Sequence, residues 1–382
     1  MLTTSDFCKK EYGEKLYKIS FDAGFTCPNR DGFLGNNGCI FCSFGGSGEF
    51  AVKLNTSNDI EADIQKAKDM VSKKYKGSKY IAYFQAFTNT YADVETLRNI
   101  YMPIIKRNDI AVLSIATRPD CISEETYTLL KELNSIKPVW VELGLQTTNL
   151  DSVKYIRRGY ENKVYDTAVK RLNSLGIHTI THVILYLPGE TVEDMHNTVN
   201  YVVKAGSCGI KFSLLYVLRG TDLGKDYTEH PFHIPSLEEY ANTLKSCIEL
   251  CPSDMIIHRI TGDAPRTGLI EPKWSRNKKN VLNTLNDTLT PPQNYYVYML
   301  KCGDGSFYTG STNNVLHRLS MHSQSKGCHY TTSHQPVELI YVENCHGKRA
   351  ALRREYAIKQ LSKKEKITLL NSKDNIVNDF TE

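Results

Sequence analysis

Residues 25–50 read FTCPNRDGFLGNNGCIFCSFGGSGEF. Cys27, Cys39 and Cys42 stand there as C-x11-C-x2-C, among Gly and Asn residues that permit tight backbone turns. Three thiolates can hold three irons of a four-iron cluster and leave one iron open to a non-protein ligand. A structural zinc ion ordinarily takes four protein ligands; no His precedes His178, which leaves Cys8 to complete such a set. Spacing alone does not choose between the two metals. A third reading, thiols as small buried hydrophobes, stands beside them.

Beyond the cysteines the chain alternates short apolar runs with helical patterns. Residues 80–86, 111–116, 140–145, 179–187, 209–217 and 255–260 are rich in Val, Ile, Leu, Tyr or Phe and read as strands. In residues 59–75, Ile60, Ile64, Ala67 and Val71 recur at helical spacing, with Ser57, Asn58 or Asp59 as N-cap. Repeated strand–helix units imply a parallel sheet with right-handed crossovers. Six or seven units are too few for a closed eight-fold barrel, so an α/β partial barrel or open sheet is expected, with ligands at the C-terminal strand ends.

The 382 residues suggest two or three domains, and 41% hydrophobic content excludes wholesale disorder. No apolar stretch approaches the roughly 20 residues of a membrane span, and residues 1–18 show no apolar secretory core. A soluble, cytoplasmic protein with reduced thiols is expected. Residues 295–382 hold 12 Lys/Arg against 8 Asp/Glu, whereas residues 1–294 hold 35 against 34. Between them NDTLTPPQN carries Pro291-Pro292, which continues neither helix nor central strand. The expected division is residues 1–285, a linker at 286–294, a small α+β domain at 295–370 and a tail at 371–382.

In the basic region, YYVYMLKCGDGSFYTGSTNN places two aromatic strands around a Gly303-Asp304-Gly305 hairpin turn. A helix capped at Asn313 or Asn314 follows, with Arg318 and His322 on one face. A later helix, residues 348–361, carries Glu355 amid Lys348, Arg349, Arg353, Arg354 and Lys359. That surface suits a phosphate backbone, or is simply a solvated charged face.

Taken in order, DAGFTCPNRDG (residues 22–32), GCIFC (38–42), YFQAFTNTY (83–91), TRPDC (117–121), WVELGLQT (140–147), LPGET (187–191) and HRITGDAP (258–265) resemble the radical S-adenosylmethionine (SAM) superfamily over roughly residues 1–285. The branch containing the Elongator catalytic subunit and the coproporphyrinogen-type enzymes is the one most resembled. The wide first gap departs from the usual C-x3-C-x2-C, although Phe41 keeps the aromatic before the last Cys. The resemblance implies a [4Fe–4S] cluster on Cys27, Cys39 and Cys42. It also implies reductive cleavage of SAM to methionine and a 5′-deoxyadenosyl radical, with an electron donor such as flavodoxin or ferredoxin. It implies cofactor contacts at Gln146 and at Arg158, the latter pairing the methionyl carboxylate. His182 takes the place of a ribose-contacting Asp, and Gln85 that of a Gly-Gly-Glu turn. Glu142 shares the strand face of Gly144 and Gln146 by the period of two, and a buried Glu there needs a polar partner. Thr117, Arg118, Cys121 and Asp263 stand open between site and structural roles.

The order Tyr-x-Tyr, Tyr-Thr-Gly, Arg-x3-His and Glu in residues 295–366 resembles the GIY-YIG nuclease family. Tyr298 and Tyr308 fall on its tyrosines. The resemblance implies one Mg²⁺ or Mn²⁺ on Glu355, with Arg318 neutralising phosphate charge and Tyr298, Tyr308 or His322 deprotonating water. YVY in place of GIY, and Ser311 where some relatives carry Lys, are departures. The combined expectation is a radical SAM enzyme of unknown substrate, possibly nucleic acid (DNA or RNA), joined to a metal-dependent endonuclease-like domain. Two alternatives remain: an inert nucleic-acid-binding module at the C-terminus, or a zinc-stabilised scaffold carrying only the nuclease.

Overall fold

Each apolar run becomes a strand because alternate residues can be buried against one interior. A computed structural model describes residues 1–43, 45–46, 51–54, 60–263, 267–290 and 294–380. Two units emerge, Met1–Leu282 and Asn283–Glu382. The first contains β1 (Leu2–Thr3), β2 (Tyr17–Asp22), β3 (Val52–Lys53), β4 (Tyr80–Phe84), β5 (Ile110–Thr117), β6 (Val139–Gln146), β7 (His178–Leu185), β8 (Gly209–Leu214), β9 (Val217–Leu218), β10 (Ile256–Arg259) and β11 (Leu269–Glu271). Nine of these form one parallel sheet ordered β1-β10-β8-β7-β6-β5-β4-β2-β3, a half-barrel of the expected class. Helices between strands begin on side-chain caps, Asp93, Ser123 and Asn149, with full capping boxes at Thr191 and Ser236. The cap expected at Ser57, Asn58 or Asp59 lies outside the described residues.

The period of two stacks the inward side chains in layers. At the N-terminal strand ends Leu16, Ile81, Val112, Trp140 and Ile180 form a sealed apolar layer, each contributing about 1.5–3 kcal/mol on burial. One step up, Lys18, Tyr83, Ser114, Glu142, His182 and Lys211 form a polar layer. One step further, Ser20, Gln85, Ala116, Gly144, Ile184 and Ser213 floor a cavity at the C-terminal strand ends. Ligand chemistry is therefore placed where a parallel α/β sheet favours it.

The second unit holds β12 (Asn294–Cys302), β13 (Phe307–Thr312) and β14 (Val337–His346), antiparallel in the order β13-β12-β14. Gly305 takes φ 74° in the hairpin turn, and Asp304 Oδ1 accepts from the Ser306 N–H at 2.9 Å. Each sheet face has its own core: Val297, Met299, Tyr341, Ala351 and Ile358 on one, Tyr298, Leu300, Val315, Leu339 and Val342 on the other. Asn314 caps the helix Val315–Ser323 through the His317 N–H.

Two expectations about boundaries change. The helix Lys278–Leu289 runs into the stretch expected as linker, and Pro291-Pro292 lies outside the described residues. Residues 371–380, expected as part of a tail, are packed. The Ile376 N–H donates to Val342 O at 2.8 Å, and the Phe380 ring lies 5.3 Å from that of Tyr296. Ile376, Val377 and Phe380 supply apolar area that the second core covers. Among the described residues no helix is long and apolar enough to cross a membrane.

Candidate active sites

The loop after β2 is built to present sulfur. The Cys27 carbonyl accepts from the Arg30 and Asp31 N–H groups, and the Cys42 N–H donates to Cys39 O at 2.9 Å. Arg30 Nη2 donates to Cys42 O (3.1 Å) and Ser43 O (2.6 Å), and Asn29 Nδ2 donates to Arg157 O at 2.7 Å. A Cβ on Gly38 (φ 72°) would sit 2.8 Å from Arg30 Nε, so this position needs glycine. Cys27, Cys39 and Cys42 all line one cavity of about 850 Å³. Burial, reinforced by Cys42 and Cys27 as would-be negative neighbours, pushes the Cys39 thiol up to about 12. Three thiolates there repel one another unless a cationic inorganic core lies between them, and this donor set fits an iron–sulfur cluster with one open corner.

Beneath the cavity, Glu142 is fully buried. Its Oε1 accepts from Lys18 Nζ (2.7 Å) and Ser114 Oγ (2.7 Å), and its Oε2 from His182 Nε2 (2.7 Å) and Lys211 Nζ. Burial alone would raise its pKa, but the Lys18 and Lys211 charges and the His182 bond hold it well below the ordinary carboxylate value. Burial and Lys211 lower His182 to about 4, so the imidazole is neutral and donates. All four carboxylate acceptor positions are filled, so Glu142, which also lines the cavity, orders this layer.

Arg158 departs from expectation. Its Nε and Nη2 donate to Tyr160 O (3.1 and 2.8 Å), Nη1 to Leu145 O (3.1 Å) and Thr147 O (2.7 Å), and Nη2 also to Asn162 Oδ1 (2.7 Å). All five N–H groups are engaged, leaving none for a carboxylate. Gln146 does line the cavity, at φ 70°, and no hydrogen bond to its amide occurs among the described residues. Gln85 and His182 also line it, as do Thr117, Arg118 and Asp263. Arg118 forks onto Asp120 (2.9 and 2.7 Å), and Asp263 pairs with Lys278 at 2.9 Å. Cys121 does not line the cavity and sits beside Asp120.

In the second unit, Tyr298 Oη lies 2.9 Å from His322 Nε2, and Arg318 Nε donates to it at 3.4 Å. The Tyr308 ring is 6.2 Å from Tyr298 and 5.1 Å from His322. A Cβ on Gly310 would meet Tyr298 Oη at 2.6 Å, so the glycine of Tyr-Thr-Gly makes room for the tyrosine. His322 is fully buried, its Nδ1 2.7 Å from Thr331 Oγ1, and burial plus Arg318 lower it to about 4. Its two ring nitrogens face Tyr298 and Thr331 rather than solvent. Glu355 is separate from that cluster: Oε2 accepts from Ser311 Oγ (2.6 Å) and Oε1 from Lys359 Nζ (2.5 Å). The two groups meet at consecutive residues of β13, Gly310 and Ser311.

Residues 34–202 match the Radical SAM superfamily and residues 208–290 the Radical_SAM C-terminal domain. YtqA of Bacillus subtilis (strain 168) is 40% identical over 281 residues, which span 74% of this chain and 87% of that one. The chain belongs to the radical SAM superfamily. Residues 294–368 match the GIY-YIG catalytic domain, and the UPF0213 protein OB0043 of Oceanobacillus iheyensis is 47% identical over 78 residues, 20% of this chain and 91% of its own. Archaeal Methanocaldococcus infernus Elp3 with an N-terminal deletion shares the fold, with a TM-score of 0.53 at 16% identity; the match covers 76% of this chain and 65% of that one. Radical SAM membership implies a [4Fe–4S] cluster and SAM, and it sets aside the zinc-scaffold alternative. Sequence reasoning missed Lys18, Lys211 and Ser114 in the radical SAM unit and Thr331 in the GIY-YIG unit. An inward lysine on the otherwise apolar GIKFSL of β8 was the available signal.

Proposed function

We propose that the first unit cleaves SAM reductively and abstracts hydrogen from an anionic substrate, a nucleic acid, with Cys27, Cys39 and Cys42 holding the cluster. When bound, a [4Fe–4S] cluster supplies the electron, received from a flavodoxin- or ferredoxin-type donor, that splits SAM into methionine and a 5′-deoxyadenosyl radical. The protein binds, orients and excludes water. The arrangement supporting this most directly is the meeting of three thiols on one cavity at the C-terminal strand ends. Gln146, whose amide has no hydrogen bond among the described residues, is the lining side chain best placed to orient SAM. Of the cationic side chains lining the cavity, Arg30, Lys74 and Arg259 have no carboxylate partner among the described residues, which favours an anionic substrate. In anaerobically reconstituted protein, SAM and dithionite give 5′-deoxyadenosine, and Cys39→Ala gives none; undiminished product from that variant would refute the cluster assignment.

For the GIY-YIG unit the proposed reaction is phosphodiester hydrolysis. His322, with Nδ1–H toward Thr331, keeps Nε2 bare to accept the Tyr298 hydroxyl proton as Tyr298 takes one from water. Arg318 holds charge on the phosphate. Glu355 and Ser311 fit a water-rich divalent site, since Mg²⁺ binds through one or two carboxylates and keeps several waters; bound there, the ion polarises the scissile phosphate. Lys359 occupies Oε1 and has to swing away first. That contact is the observation favouring the second reading, a domain that binds without cutting. Incubating labelled DNA or RNA with Mg²⁺ or Mn²⁺ decides: the parent cuts and Glu355→Ala does not, and equal cutting by both removes the metal role.

A further inference from the structure

An exposed aromatic ring adds little to a core, so one that is pinned in place is held for another reason. Tyr330 is 42% exposed, yet its hydroxyl donates to Ser306 Oγ at 2.8 Å, fixing the far end of the ring to the β12–β13 turn. The His334 ring stacks on it at 4.5 Å and 17°. His334 is itself fixed, Nδ1 donating to Tyr330 O at 2.8 Å and Nε2 lying 3.5 Å from Asp304 Oδ2. Toward the candidate active site the Tyr308 ring lies 6.4 Å from Tyr330 at 25°. The planes of His334 and Tyr308 lie within 17° and 25° of that of Tyr330, and the Tyr308 ring is in turn 5.1 Å from that of His322. The short helix His329–Ser333 links the two features, since it carries Tyr330 and also Thr331, whose hydroxyl holds His322 Nδ1.

We propose that Tyr330, backed by His334, is a stacking platform for an unpaired nucleobase beside the scissile phosphate. The GIY-YIG unit then prefers single-stranded or unpaired nucleic acid over continuous duplex. Every base offers a π-face, and stacking on a protein ring is tolerant of sequence. In a duplex those faces are already covered by neighbouring base pairs, so a side-on ring gains contact only where a base is free. The inference rests on the reading that this unit handles nucleic acid.

The test uses the full chain with chelator present, so that binding is read without cutting, and a short labelled single strand beside the matching duplex. Tyr330→Ala weakens single-strand binding about tenfold or more and leaves duplex binding within about twofold. Tyr330→Phe keeps the stacking surface and most of the affinity. Tyr330→Trp adds a local probe, whose fluorescence the single strand quenches over the same concentration range. Unchanged single-strand binding by Tyr330→Ala, an equal loss for both nucleic acids, or an unquenched Trp overturns the platform. A parent that binds neither nucleic acid overturns the nucleic-acid reading and the platform together. Metal-dependent cutting lost in Glu355→Ala but identical in Tyr330→Ala, with binding unchanged, overturns the platform alone.

Discussion

Replacing Glu142 by Gln keeps the volume and removes the charge on which the half-barrel's polar layer converges. Two ammoniums, an imidazole and a hydroxyl point donors at that carboxylate. A Gln amide accepts at one atom only and turns N–H groups toward donors at the other. Lys211, whose side chain is 6% exposed, is left as a buried ammonium without its counter-charge. Removing one partner of a buried pair costs about 3–5 kcal/mol; at roughly 2–4 °C per kcal/mol the first unit melts roughly 6–20 °C lower. The pH dependence gives a second signature. Burial already draws the Lys211 pKa down, and losing Glu142 draws it further. The unfolded chain, with Lys near 10.4, then binds more protons than the folded variant, so the variant's stability rises with pH over the window below about 10.4. In the parent the depressed Glu142 pKa contributes stability above the unfolded carboxylate value, lost as pH falls through the folded one. Circular-dichroism melts of parent and Glu142→Gln from neutral to alkaline pH read both effects. A variant that melts with the parent, or a gap that does not narrow toward alkaline pH, would refute the reasoning.

Arg158→Lys leaves the carbonyls of Leu145, Thr147 and Tyr160 short of donors and lowers stability by about 1–3 kcal/mol, with the KM for SAM unchanged; a raised KM at full stability restores a direct carboxylate contact. For the proposed phosphodiester hydrolysis, His322 at about 4 is neutral through ordinary pH, so the acid limb of the cleavage pH profile falls near 4. A limb near 6.5 removes His322 as proton acceptor. Lys359→Met frees Glu355 Oε1, and since a helical i,i+4 ion pair is worth about 0.3–0.5 kcal/mol, Mn²⁺ binds about twofold tighter by calorimetry. Weaker binding in that variant shows that Lys359 assists the site.

The strands were legible because β4 to β8 bury apolar runs, and the parity of β6 alone puts Glu142, Gly144 and Gln146 on one face. The partners of Glu142 were not legible. Lys18 and Lys211 lie 124 and 69 residues away in sequence, and nothing local marks their meeting. The same inward polar residues, Lys18 and Ser20, broke up the apolar pattern of β2 and hid it as a strand. The family resemblance suggested a carboxylate partner for Arg158, but five nearby acceptor contacts consume its donors. In the smaller unit the Tyr, Arg and His types were readable from order. The burial of His322 was not, because it depends on Gly327, where a Cβ would lie 2.2 Å from Nδ1, and on Thr331 closing over the ring. A cap at Asn313 or Asn314 was recognisable from wholly local chemistry, and Asn314 is the residue that caps.

The claim underlying the larger unit is that Cys27, Cys39 and Cys42 grip one inorganic core. Iron and acid-labile sulfide measured on anaerobically reconstituted full-length protein test it most directly. About four irons and about four sulfides per chain, falling together in Cys39→Ala, are the predicted result; zinc without sulfide, or iron retained in full by that variant, contradicts it.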